Sequence, residues 1–132
     1  MAQTDLVKQA LIQHGSFVYP SALEELDLNL GPREARPRTL IKKGEIYIGE
    51  WLVGTDVKEG RGMSIWKDGS VYEGYHKNNL SFSIGRLLHA DGDIYHGEFK
   101  NSKAHGLGYY LHNDGSYFRG FWNEDKQHGK GF

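Results

Sequence analysis

From residue 44 onward, aromatic side chains and glycines stand two residues apart in a pattern that returns along the chain. Tyr47, Gly49 and Trp51 are followed by Tyr72, Gly74 and His76, then Tyr95, Gly97 and Phe99, then Phe118, Gly120 and Trp122. Residues two apart share one face of a strand, so each set predicts a strand with its rings on one side. A second strand follows in each unit, marked by Gly60 and Gly62, by Gly106 and Gly108, and by Gly129 and Gly131. Glycine in mid-strand leaves room above the sheet in which a neighbouring ring can lie flat, and this predicts that the aromatics pack as core. Asp68-Gly69, Asp91-Gly92 and Asp114-Gly115 supply tight turns, which makes successive strands antiparallel neighbours.

The N-terminal stretch follows a different period. Leu6, Val7, Ala10 and Leu11 form a helical stripe, Thr4 is a suitable N-cap and Gly15 a stop, which predicts a short amphipathic helix over residues 5–14. Ser21 and Glu24 make a capping-box pattern with Leu23 and Leu26 behind it, although Leu26, Leu28 and Leu30 also alternate as in a strand. Both elements are expected to cover the first strand of the array as a terminal cap. The alternative is that Leu6, Leu11 and their neighbours form a docking helix for a partner or a lipid surface. Residues 31–43, GPREARPRTLIKK, read as an extended linker, because Pro32 and Pro37 each remove a donor and bias the preceding residue away from helix.

Aligning GEIYIGEW from Gly44, GSVYEGYH from Gly69, GDIYHGEF from Gly92 and GSYFRGFW from Gly115 gives one skeleton: GxxYxGxW, then GxG, then DG opening the next unit. These residues resemble the MORN (membrane occupation and recognition nexus) repeats, over residues 44–132. The resemblance implies scaffolding, membrane association and cytoskeletal or ciliary attachment, and it supplies no catalytic residues. The expected fold is an all-β repeat array, an elongated, twisted antiparallel sheet of β-hairpins with a short N-terminal α-helical extension. Seven or eight strands of roughly five residues are expected, two per repeat. The expected division is 1–43 for the helical cap and basic linker, and 44–132 for four repeats (44–68, 69–91, 92–114 and an incomplete 115–132). All glycines except Gly15 and Gly31, and all aromatics except Phe17 and Tyr19, fall in the second part.

Two irregularities change this picture locally. The first unit has two extra residues between Trp51 and Gly60, an even number that preserves the alternation of faces. The second has His76 where a large ring belongs, Ser83 in place of the first glycine of the pair, and apolar Leu80 and Phe82 near a hairpin tip. An apolar tip on a polar hairpin reads either as drift or as a partner site. The final strand stops short at Phe132, which suggests a sheet edge that pairs with a second copy, with another subunit or with further repeats.

Composition narrows the chemistry. The chain has 132 residues, 16 Lys and Arg against 17 Asp and Glu, and no cysteine. Near-zero charge gives no overall drive toward nucleic acid, and the absence of thiols removes disulfides and cysteine-bound metal. There is no apolar run long enough for a membrane-spanning helix and no signal-peptide pattern at the start, so an intracellular, cytoplasmic location is expected. Arg33, Arg36, Arg38, Lys42 and Lys43 gather in the linker and could attract anionic lipid. His89 and His112, like His105 and His128, recur at equivalent positions and sit two strands apart, too far to share a metal. No nucleophile elbow or phosphate-cradling glycine loop is present. No cofactor, metal or catalytic residue is therefore expected. The leading expectation is a non-catalytic scaffold binding other subunits, or its own copy, through Trp51, Trp66, Leu80, Phe82, Phe99, Trp122 and the Phe132 edge. The alternatives are a peripheral module on anionic phospholipid, or a regulatory part of a larger MORN-containing enzyme such as a lipid kinase.

Overall fold

A computed structural model describes residues 5–25, 28–42, 44–129 and 131. Among these residues, nine strands lie side by side in chain order in one open antiparallel sheet. They are β1 (Arg33–Lys42), β2 (Glu45–Leu52), β3 (Lys58–Trp66), β4 (Val71–Lys77), β5 (Leu80–Leu88), β6 (Ile94–Lys100), β7 (Lys103–Leu111), β8 (Tyr117–Asn123) and β9 (Lys126–His128). Two helices precede them, α1 (Asp5–His14) and the single turn α2 (Ala22–Glu25). The repeat array expected from the spacing is present, with one strand more than expected and most strands longer.

The extra strand corrects the linker. Residues 33–42 pair with β2 from Arg33 opposite Leu52 to Lys42 opposite Glu45. The register slips between Arg36 and Thr39, where Pro37 sits. Proline is tolerated there because β1 is an edge strand, and its missing N–H falls at an irregularity in the ladder.

Two kinds of turn join the strands from β3 onward. At the Asp-Gly turns the glycines have φ of +92°, +95° and +94° at Gly69, Gly92 and Gly115. Gly69 donates to the Trp66 carbonyl, Trp66 donates to that of Ser70, and the Asp68 carboxylate accepts from the Ser70 amide at 2.9 Å. This is a type I turn closed by a glycine bulge. Within the later repeats the turns are the two-residue pairs Asn78–Asn79, Asn101–Ser102 and Glu124–Asp125, all at positive φ. The second residue of each pair also binds the strand before its own hairpin. Asn79 accepts from the Lys58 amide, Ser102 from that of Ser81 and Asp125 from that of Ala104. Short polar side chains at these tips thereby tie each repeat to the preceding one.

Register places a line of glycines straight across the sheet, with Gly49, Gly62, Gly74, Gly85, Gly97, Gly108 and Gly120 opposite one another in turn. Tyr47, Tyr72 and Tyr95 lie over this line, and each hydroxyl donates to the carbonyl three residues ahead, Glu50, Tyr75 and Glu98, at 2.8–2.9 Å.

The position of α1 is a second correction. Val7 and Ala10 pack on Val71, Leu88 and Ile94 of β4, β5 and β6, in the middle of the array. The first strand was the expected site, but Val71, Leu88 and Ile94 form the apolar patch on that face, and the helical stripe goes where apolar area can be buried. Glu24 donates its amide to Ser21 Oγ and accepts from the Ser21 amide, which is the expected capping box. Thr4, Leu26 and Lys43 lie outside the described residues.

Candidate interaction faces

One face of the sheet is closed by its own rings. Tyr47 meets Trp51 and His76, Tyr72 meets His76 and Phe99, and Tyr95 meets Phe99 and Trp122, all edge-to-face with centroids 5.1–5.3 Å apart. The zigzag runs through all four repeats, ending at Phe118 and Trp122. Trp51, Phe99 and Trp122 are therefore buried, at 4%, 6% and 8% exposure. They were expected both as core and as partner anchors, and their rings are spent on the core. Trp66 is half-buried and packs against the same cluster.

His76 fills the ring position in the second repeat. It is buried, and its Nδ1 has no hydrogen-bond partner among the described residues. Burial first, and the Lys58 ammonium second, push its pKa down to about 3. Beside it Lys58 Nζ binds Glu45 at 2.6 Å, a buried pair found only in the first repeat, where the third has Ala104 and Asp93.

The opposite face carries the N-terminal segment. After α1 the chain runs as an extended strap across β6, β5, β4 and β3. Phe17 and Tyr19 point toward the sheet, with rings 4.9 Å apart, while Val18 between them is 84% exposed. The Phe17 amide donates to Glu73 at 3.1 Å, and Arg86 donates to the Gly15 carbonyl at 2.6 Å and to Glu73 at 2.8 Å. Phe17 also packs edge-on against His96, whose pKa is lowered by burial and then by Arg86. Tyr19 donates weakly toward the Gly62 and Gly74 carbonyls and packs on Tyr75, and burial raises its pKa to about 12. Glu25 ends the strap between Arg33 and Arg61, and their hydrogen bonds and charges hold its carboxyl low against the opposing cost of burial.

Beyond the strap this face is open and apolar. Leu107 and Phe121, opposite each other on β7 and β8, are 45% and 51% exposed, and Tyr117 is 63% exposed. Tyr109 and Arg119 continue the strip toward a cavity of about 350 Å³ whose walls include Phe17, Arg86, His96 and Tyr109. These residues were missed because the repeated Tyr-Gly-ring motif draws attention to the other face. The available signal was apolar side chains at Leu107 and Phe121, where the first repeat has Arg61 and Glu50.

The other expected sites are dispersed. Leu80 is exposed at its hairpin tip, and Phe82 is half-buried under the Lys77 ammonium. Of the linker cations, Arg33 pairs with Glu25 and Glu50, and Arg36 pairs with Glu34 and Asp56 and covers the Trp51 ring. Arg38 is exposed, and Lys42 reaches Glu45 only at 4.0 Å. Phe132 lies outside the described residues. Tyr110 lies between His89 and His112, and among the described residues no cluster of three or more His, Asp or Glu could hold a metal. No described helix is long and apolar enough to cross a membrane.

Compared with known families, the MORN repeat pattern matches residues 56–71, 95–117 and 118–132. The gap between the first two matches holds His76 and Ser83, the departures from the skeleton. No curated protein sequence matches the chain.

Proposed function

We propose that the chain, which carries MORN repeats at residues 56–71, 95–117 and 118–132, modules that generally serve in protein or membrane interaction, is a non-catalytic scaffold subunit. It would hold a partner protein against the strap face within a cytoskeletal, ciliary or membrane-associated assembly. The observation that carries this reading is the apolar strip of exposed Leu107, Tyr117 and Phe121 around the half-buried Tyr109, on a sheet whose other face is filled by its own rings. Such strips mark interaction sites when they stay uncovered on a folded chain.

The test is affinity purification of the chain from its native cells beside Leu107→Glu/Phe121→Glu. A defined set of partners lost only in the face variant supports the reading. An unchanged set sinks it. Self-association through the C-terminal edge would appear as a mass in solution that rises with concentration.

A second reading is favoured by the Arg38, Leu40 and Lys42 cluster on the edge strand, where two exposed cations flank an exposed leucine. Two such charges would contribute about 2 kcal/mol on an anionic surface. Flotation with phosphatidylserine vesicles at low salt, lost in Arg38→Glu/Lys42→Glu, would support it; no flotation of the parent chain would end it. Reversing Arg33 or Arg36 is the wrong probe, since both hold the fold through ion pairs.

A further inference from the structure

We infer that the strap is a displaceable occupant of a peptide-binding site, filled in cis by residues 15–19 and in trans by a partner's extended segment of the same chemistry. That chemistry is a small residue followed by aromatic-x-aromatic.

Three observations converge. The strap is held as a peptide is: Glu73 and Arg86 bind the Phe17 amide and the Gly15 carbonyl, and of its side chains Phe17 and Tyr19 insert while Val18 stays exposed. Backbone capture by a fixed acid and base, with pockets for alternate side chains, is how extended ligands are read. The surface beneath is also suited to water. Glu73 and Arg86 already pair with each other at 2.8 Å, and Arg61 is partly exposed, so uncovering them hydrates charges; the apolar area uncovered is that of Phe17, Tyr19 and the Tyr75 ring beneath, which a partner's two aromatics would cover again. A permanent intramolecular interface is normally more apolar, as under α1, where Val7, Val71, Leu88 and Ile94 meet. The site is continuous with open surface as well. The cavity beside Phe17 leads along His96 and Tyr109 to Leu107 and Arg119, so a partner seated on the strip reaches the strap from its flank.

The strap then regulates the face. Closed, it occupies the stretch around Glu73 and Arg86; displaced, it frees that stretch and releases residues 15–19. Only the identity of the trans occupant rests on the scaffold reading.

Amide hydrogen exchange on the full chain is the first test. The Phe17 amide should exchange at least tenfold faster than those of Tyr72 and Gly74 in β4; equal protection, opening only with the whole sheet, overturns the inference. The second test uses a labelled synthetic peptide of residues 14–21, HGSFVYPS, followed by fluorescence anisotropy. The full-length Phe17→Ser/Tyr19→Ser chain should bind it at least tenfold more tightly than the unaltered chain, and a peptide with both aromatics replaced by serine should not bind. Equal binding by the two chains overturns the inference. If the double variant does not fold, exchange on the unaltered chain decides. A fixed strap with partners still lost in Leu107→Glu/Phe121→Glu removes the inference and leaves the scaffold; an opening strap with no partner lost does the reverse.

Discussion

Replacing His76 with Phe should remove a large part of the acid sensitivity of the sheet. The imidazole is 2% exposed, wedged edge-on between Tyr47 and Tyr72 with both centroids 5.1 Å away, and its pKa is pushed from 6.5 to about 3. The folded chain therefore keeps it neutral, while the unfolded chain protonates it below about pH 6.5. The unfolded state binds the extra proton, so stability is lost as pH falls from 6.5 toward 3, at about 1.4 kcal/mol per unit. Between pH 7.5 and 4.5 this amounts to about 3 kcal/mol. Phe99 occupies the equivalent position in the next repeat, so a benzene ring fits the stack. Glu25, Asp68, Asp93 and Asp114 also have lowered pKa values and lose stability in acid, but they do so in both proteins and cancel in the comparison. Urea unfolding of both chains at the two pH values gives the double difference directly. Equal acid losses, or an NMR titration of His76 with a midpoint near 6.5 in the folded chain, would refute the argument.

Three further outcomes are expected. Ser83→Gly should stabilise the chain by about 1 kcal/mol in urea melts, because Ser83 has φ of +63° at the position where Gly60, Gly106 and Gly129 have +95°, +99° and +74°. Gly97→Val should cost roughly 3 kcal/mol or more, since a Cβ there would sit 2.5 Å from Gly108 Cα and 2.6 Å from the Leu107 carbonyl; an unchanged melting temperature would contradict this packing. Tyr95→Phe should cost about 1 kcal/mol by thermal melt through loss of the bond to the Glu98 carbonyl, and Phe118 shows that the ring position itself accepts the change.

The sequence by itself determined the array. Period-two rings and glycines, the Asp-Gly turns and the spacing of 25 and 23 residues define antiparallel hairpins in a fixed order, because each signal is local and each repeat pairs only with its neighbours. Tertiary structure decided what local signals do not encode. Residues 33–42 look like a linker, since Pro37 and the cations argue against a strand; pairing with β2 outweighs them at an edge where no second neighbour requires the missing donor. Trp51 and Trp122 look like anchors until the stacking of adjacent repeats buries them. The course of α1 and the strap depends on contacts across more than 40 residues, such as Phe17 to Glu73 and Gly15 to Arg86. No periodicity records a contact of that range, because it depends on which face of the finished sheet still has apolar area and hydrogen-bonding groups to offer.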